Sequence, residues 1–198
     1  MKALDKKPFW SGLFWGLMEG TWLPVVPDIL LCYWAMKSLR HAVVATLAVV
    51  LGAEIAAVLL YTVLPFGGLA ESLPQWWGCL PGFKPKMAEV AAGHLALNGG
   101  SGLLEGPTSG IPYRAYLVEA WEAKIPLWEI LVWTPLARLE RILIAPLVVL
   151  GLRWLLVDKA ARYVGNERLW TKVLTGLIIV YWIGLYVWYW GTFVPTNY

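Results

Sequence analysis

Residues 17–28 read LMEGTWLPVVPD, and residues 103–114 read LLEGPTSGIPYR, an imperfect copy of the first stretch. Each has an apolar pair, a Glu-Gly step, a segment rich in proline or glycine, and an ionisable residue before the next apolar run. Proline removes a backbone donor and disfavours helix in the residue before it, so both stretches should break a helix. Corresponding helix breaks in two halves of a membrane chain point to the binding site of a transporter.

The composition indicates an integral membrane protein. Of the 198 residues, 59% are hydrophobic and 15% are charged, and the mean hydropathy is +0.61; soluble domains are about half apolar and about a quarter charged. The 14 Trp and nine Tyr suit aromatic belts at membrane interfaces. The net charge of +3 is scattered, without the basic stripe that nucleic acid requires. The two cysteines lack CxxC or histidine spacing, so we expect no metal and no cofactor.

Apolar runs at 42–64, 127–156 and 170–190 are long enough to cross a bilayer, which takes about 20 residues. Two other regions, 8–37 and 87–123, are split by proline and glycine into pieces too short to cross. Non-helical backbone survives at membrane depth only where protein or a water-filled cavity surrounds it. We therefore predict that each of these two regions is a re-entrant helical hairpin.

The predicted fold is an all-α polytopic membrane protein with one domain, residues 1–198. It contains two inverted-topology repeats, 8–64 and 87–156, each a re-entrant hairpin followed by a transmembrane helix. A last transmembrane helix covers 170–190. The two helix breaks should meet near the membrane midplane.

Basic residues in the loops predict the orientation. If each hairpin returns to its starting side, ten basic residues share one side: Lys2, Lys6, Lys7, Lys37, Arg40, Arg153, Lys159, Arg162, Arg168 and Lys172. The opposite side keeps Lys84, Lys86 and Lys124. The positive-inside rule then makes the first side cytoplasmic, with the N-terminus there and the C-terminus opposite.

Eight ionisable residues fall at or near predicted membrane depth: Glu19, Asp28, Glu54, Glu105, Arg114, Arg138, Glu140 and Arg141. A charge at the bilayer centre costs at least ~2.5–3.5 kcal/mol, so such groups face partners or a wet cavity. One interpretation is structural, with carboxylates and arginines paired to hold the hairpins together. Eight charged groups are more than packing requires, which favours a functional site.

The arginines indicate a site for an anionic headgroup. Arg138 and Arg141 are three residues apart on one helix face, and the planar guanidinium can bind two phosphate oxygens at once. The predicted substrate-binding residues are Arg114, Arg138, Arg141, Glu19, Asp28 and Glu105. The carboxylates could neutralise the arginines of an empty site or carry a coupling proton, for which Glu19, Asp28 and Glu54 are the candidates.

These motifs resemble those of the DedA family, also called the SNARE-associated or VTT-domain family, in its short YqaA-like form. Glu19 through Asp28 resembles the family's acidic, proline-rich first hairpin, and residues 110–114, 126–130 and 138–141 resemble its second. The chain departs from the family in having Asp28-Ile29 where Gly-Glu is frequent, Ala137 where glycine precedes the arginine pair, and Arg114 where Lys is common.

The resemblance implies two opposed re-entrant hairpins in a bacterial cytoplasmic membrane. It also implies translocation, by flipping or scrambling, of an anionic lipid such as a polyprenyl phosphate or phospholipid. Two alternatives remain: a non-catalytic subunit of a larger membrane complex, or an enzyme acting on lipid phosphates. No nucleophile lies beside a plausible base in either motif, so we expect no catalytic residues. The sequence leaves open the lipid, the coupling ion, and a homo-oligomeric or larger assembly.

Overall fold

The structure is a computed structural model that describes residues 6–80, 82–160 and 165–198. It is 84% helix, and no strand occurs in these ranges, in agreement with the predicted all-α class. Lys2 and Arg162, which contributed to the predicted orientation, lie outside the described residues.

The helices of the first half are α1 (Lys7–Thr21), α2 (Asp28–Lys37), α3 (Leu39–Val63) and α4 (Leu69–Gly78). The second half begins with α5 (Pro85–Asn98), a 3₁₀ segment (Gly99–Glu105), α6 (Gly106–Ser109) and α7 (Tyr113–Glu122). It continues with α8 (Leu127–Ile142), α9 (Ile144–Leu152) and a π-helical segment (Arg153–Ala160). The chain ends with α10 (Glu167–Trp188), a second π-helical segment (Tyr189–Phe193) and α11 (Val194–Asn197).

Both predicted helix breaks are present. The first separates α1 from α2, where the prolines of the segment 22–27 interrupt the helical hydrogen bonds. The second extends over 99–112 and contains Gly99 and Gly110 at φ +58° and +75°, a region of backbone space that favours glycine. The sequence prediction of two interrupted helical regions is therefore confirmed.

Helices α1 and α3 pack at close range through a row of glycines on α1. A Cβ atom on Gly12 would lie 2.5 Å from the carbonyl oxygen of Ala45, and one on Gly16 would collide with the backbone of Val49. A Cβ on Gly20 would lie 2.6 Å from the Cβ of Ala56. Such a row of small residues lets two helix backbones approach closely, the usual way helices associate in lipid.

In the part of the chain that the structure describes, two helices are long and apolar enough to cross a membrane: α3, and the continuous helical stretch from Glu167 to Asn197. They contain the runs 42–64 (except Leu64) and 170–190, and they support the membrane association expected from composition. Only 11% of the apolar window in the last helical stretch is buried, so its hydrophobic surface needs lipid or a protein partner to cover it.

The run 127–156, predicted as one span, is divided into α8 and α9 at Leu143. Pro146 lacks the N–H that would bond the carbonyl of Ile142, which explains the interruption. Leu143 keeps right-handed helical angles, φ −79° and ψ −29°, so the chain does not turn back here.

Helix α7 lies in the middle of the core and carries a charge into it. Seven of its ten residues are buried, among them Tyr116 and Leu117, which pack in the largest apolar cluster. Arg114, in the first turn of α7, is 1% exposed. The guanidinium that directly follows the second helix break therefore lies at the centre of the protein.

Candidate headgroup site

A cavity of about 330 Å³ lies between the two helix breaks and the last helical stretch. Its charged lining consists of Glu19, Asp28, Arg114 and Arg141. The remaining walls come from both breaks, from the last helical stretch and from Gly82 between α4 and α5: Leu23, Pro24, Val26, Gly82, Pro107, Thr108, Gly110, Pro112, Trp182, Leu185, Tyr186, Trp188, Tyr189 and Phe193.

The two breaks meet at this cavity. The Nη1 of Arg114, in the first turn of α7 directly after the second break, donates a hydrogen bond to the backbone oxygen of Leu23 in the first break, at 2.9 Å. The sequence predicted that Pro24–Asp28 and Pro107–Arg114 approach each other near the membrane midplane; Leu23 directly precedes the first of these segments, and residues of both line the cavity. The predicted depth at the membrane midplane stays a prediction.

Arg138 and Glu19 form a buried ion pair beside the cavity. Nη1 of Arg138 donates to Oε1 of Glu19 at 3.2 Å, and Nη2 donates to Oε2, so the pair is bidentate. The Arg138 guanidinium also lies 5.1 Å from the ring centroid of Tyr113, whose hydroxyl is 2.6 Å from Oγ1 of Thr134. Glu19 is thus an arginine partner, as predicted, while Arg138 does not line the cavity.

Arg114 has no carboxylate partner among the described residues. Its Nε and Nη2 are buried without a hydrogen-bond partner, its Nη1 donates to the Leu23 oxygen, and its guanidinium carbon lies 5.4 Å from the centroid of the Trp77 ring. Glu19 attracts Arg114 electrostatically but forms no ion pair with it within 4.0 Å. A buried charge without a close counter-charge carries a desolvation penalty of roughly several kcal/mol, which an anion in the cavity would offset. The unpaired guanidinium nitrogen atoms of Arg114 are therefore the strongest indication that the cavity binds an anion.

Asp28 and Arg141 form the other charged part of the lining. Asp28 begins α2, is 4% exposed, and has an Oδ2 atom without a hydrogen-bond partner. It is attracted electrostatically to Arg141 and, more weakly, to Arg138. Arg141 is half-buried and makes no ion pair within 4.0 Å in the described part of the chain. The Arg141 guanidinium can therefore bind an incoming anion in place of its electrostatic attraction to Asp28.

Tyrosines of the last helical stretch attach it to both breaks. The hydroxyl of Tyr186 accepts a hydrogen bond from the Val26 N–H at 2.9 Å, and the hydroxyl of Tyr189 donates to the Gly110 oxygen at 2.6 Å. Trp182 adds an indole to the same wall. The sequence analysis did not assign these residues to the site. Their spacing of four and three residues puts them on one helical face, and this pattern could have indicated that they share a wall of the site.

Two of the predicted site residues lie elsewhere. Glu105 accepts a hydrogen bond from Nδ2 of Asn98 at 2.6 Å and lies 3.2 Å from Nε2 of His94, so its partners are not arginines. Glu54 is half-buried on α3 and does not line the cavity. In the described ranges, no three His, Cys, Asp or Glu side chains form a group that could hold a metal ion.

Comparisons with known proteins add no identification. No protein-family model matches this chain, and no curated protein or solved structure matches it either.

Proposed function

We propose that this protein translocates an anionic lipid, such as a polyprenyl phosphate or phospholipid, across the bacterial cytoplasmic membrane. The headgroup occupies the cavity between the two helix breaks, and the hydrocarbon part stays in the bilayer. The observation that carries the proposal is Arg114, a buried guanidinium in the cavity lining that has two nitrogen atoms without a hydrogen-bond partner and makes no ion pair among the described residues.

Arg114 and Arg141 are the direct ligands of the headgroup in this proposal. Both line the cavity, and guanidinium groups bind phosphate oxygens with charge-assisted, paired hydrogen bonds. Arg138 acts indirectly, because its bidentate pair holds Glu19 at the cavity wall. The three arginines outnumber the two carboxylates Glu19 and Asp28 by one, so a bound phosphate meets a net positive charge.

The architecture of this proposal has two inverted repeats. Helices α1 and α2 form the first re-entrant hairpin and α3 its span; the segments from α5 to α7 form the second hairpin, with α8 and α9 as its span. The stretch from α10 to α11 is the last transmembrane element. The meeting of the two breaks supports this arrangement, as does the resemblance of the same motifs to the DedA family. Rocking of the repeats would expose the cavity to each side in turn.

The test measures movement of a fluorescent polyprenyl phosphate in phosphatidylcholine proteoliposomes, with melting in detergent as the check on folding. Removing a charge-assisted contact at Arg114→Gln or Arg141→Ala should slow translocation about ten- to hundredfold. Arg141→Lys keeps the charge but loses the fork geometry, so its loss should be smaller. Arg153→Gln is the matched control, because Arg153 is a partly exposed arginine outside the cavity.

Two outcomes contradict the proposal. Folded protein that moves lipid equally well without Arg114 and Arg141 would refute the headgroup site. Folded wild-type protein that moves no lipid would refute translocation and favour the hypothesis of a subunit in a larger membrane complex. In that case the exposed apolar surface of the last helix would be the interface.

A further inference from the structure

A second cavity, of about 460 Å³, lies between α9 and α10 and continues the headgroup cavity. One wall contains Ile144, Val148 and Leu152 of α9, and the other contains Leu174, Leu177 and Tyr181 of α10. We name this cavity the interhelical groove. Its lining is almost entirely apolar away from the end where it meets the headgroup cavity.

The groove is open along the side of the molecule. Val148 and Leu177, on opposite walls, are 55% and 54% exposed. An apolar channel that opens sideways on a membrane helix faces the hydrocarbon of the bilayer. The contents of such a channel are therefore hydrocarbon, not water.

Charge is confined to one end of the groove. Asp28, Arg141 and Trp182 line both the groove and the headgroup cavity, and the Oδ2 atom of Asp28 has no hydrogen-bond partner. The combined space is polar at one end and apolar at the other. Its complement is an amphipathic molecule with a charged head and a hydrocarbon chain, which a free phosphate or a soluble metabolite is not.

We propose that the interhelical groove holds the hydrocarbon chain of the anionic lipid whose headgroup contacts Arg114 and Arg141. The lipid enters sideways between α9 and α10, past Trp182, with its chain never leaving an apolar environment. This inference rests on the proposed function and adds the path of the chain and the route of entrance. It gives α10 a role as one wall of the substrate path.

The experiment places the photoreactive residue p-benzoylphenylalanine at position 177 or 179 of the 198-residue chain. Leu177 lines the groove and Ile179 does not, yet their exposures, 54% and 53%, are nearly equal. The protein is reconstituted in phosphatidylcholine vesicles containing a small fraction of polyprenyl phosphate. The lipid adducts at each position are then counted by mass spectrometry.

At position 177, polyprenyl phosphate adducts should be enriched about tenfold over the bulk lipid ratio, the factor that about 1.4 kcal/mol of preference produces. Position 179 should report the bulk ratio. Arg141→Ala should return position 177 to the bulk ratio, because the charge at the groove end selects the anionic lipid. Equal adduct ratios at 177 and 179 would overturn the groove and mean that ordinary bilayer lipid fills it.

A blocking variant separates this inference from the proposed function. Leu177→Trp should slow translocation about tenfold, whereas Ile179→Trp should leave it unchanged. If Leu177→Trp has no effect while Arg141→Ala does, the chain path is wrong and translocation stands. If no variant or wild-type protein moves lipid but position 177 still selects the anionic lipid, translocation fails and the groove stands as a lipid-binding site.

Discussion

The buried ion pair between Glu19 and Arg138 makes the most exact prediction about stability. Both side chains are almost fully enclosed, at 4% and 5% exposure, and Arg138 donates two hydrogen bonds to Glu19. Glu19→Gln leaves the Arg138 guanidinium charged, buried and without its carboxylate. Arg138→Gln does the reverse, and it also removes the contact with the Tyr113 ring.

Removing one partner of a buried pair costs about 3–5 kcal/mol, because the remaining charge stays desolvated. For a chain of this size that loss corresponds to a melting temperature lower by roughly 6–20 °C. The double variant, with Gln at both positions, carries no stranded charge. It should be more stable than the sum of the single losses predicts, by about 0.5–3 kcal/mol.

The measurement is the free energy of unfolding of the protein in detergent micelles, from SDS titration followed by tryptophan fluorescence. Asp158→Asn is the control, because the Arg153–Asp158 pair is 3.9 Å apart and partly exposed. Such a pair contributes about 0–1 kcal/mol. The reasoning is refuted if Glu19→Gln costs no more than Asp158→Asn, or if the double variant loses the full sum of both single changes.

Three further predictions concern packing, the cavity wall and topology. Gly16→Ala should destabilise the protein by about 1–3 kcal/mol, because the added Cβ would collide with the Val49 backbone. Gly176→Ala has open space around it and should stabilise the protein by about 0.5–1 kcal/mol. Detergent melting compares the two variants, and equal shifts in melting temperature would contradict the close packing of α1 on α3. Tyr189→Phe removes the hydrogen bond to the Gly110 oxygen and should cost about 0.5–1.5 kcal/mol of unfolding free energy, with Tyr181→Phe, outside the headgroup cavity, as the control that should cost less. Cysteines placed at 37 and 159 should be labelled from the cytoplasmic side of oriented vesicles, and those at 76 and 124 from the other; labelling of 37 and 76 from one side would end the hairpin topology.

The sequence by itself determined where the helices break. Pro24, Pro27 and Pro112 act on the backbone next to them, and Gly99 and Gly110 adopt angles that other residues avoid. These are local effects, independent of the rest of the chain, so the sequence was sufficient to predict the helix breaks. The same holds for the apolar length of α3 and of the last helix.

The sequence also showed that Glu19, Asp28 and the arginines need partners, but it could not match them. Glu19 pairs with Arg138, 119 residues away, while Glu105 turns to His94 and Asn98. Several arginines with the same chemistry could have paired with each carboxylate. Only the packing of α1 and α8 against the same helix, α3, decides which charges meet.

The cavity wall was decided by tertiary structure alone. Tyr186 and Tyr189 reach Val26 and Gly110 across 160 and 79 residues, and these contacts turn an apolar terminal helix into part of the site. Burial of Arg114 without a carboxylate follows from the position of α7 in the core. Proline and glycine act on neighbouring backbone, whereas the enclosure of a charge depends on every element packed around it.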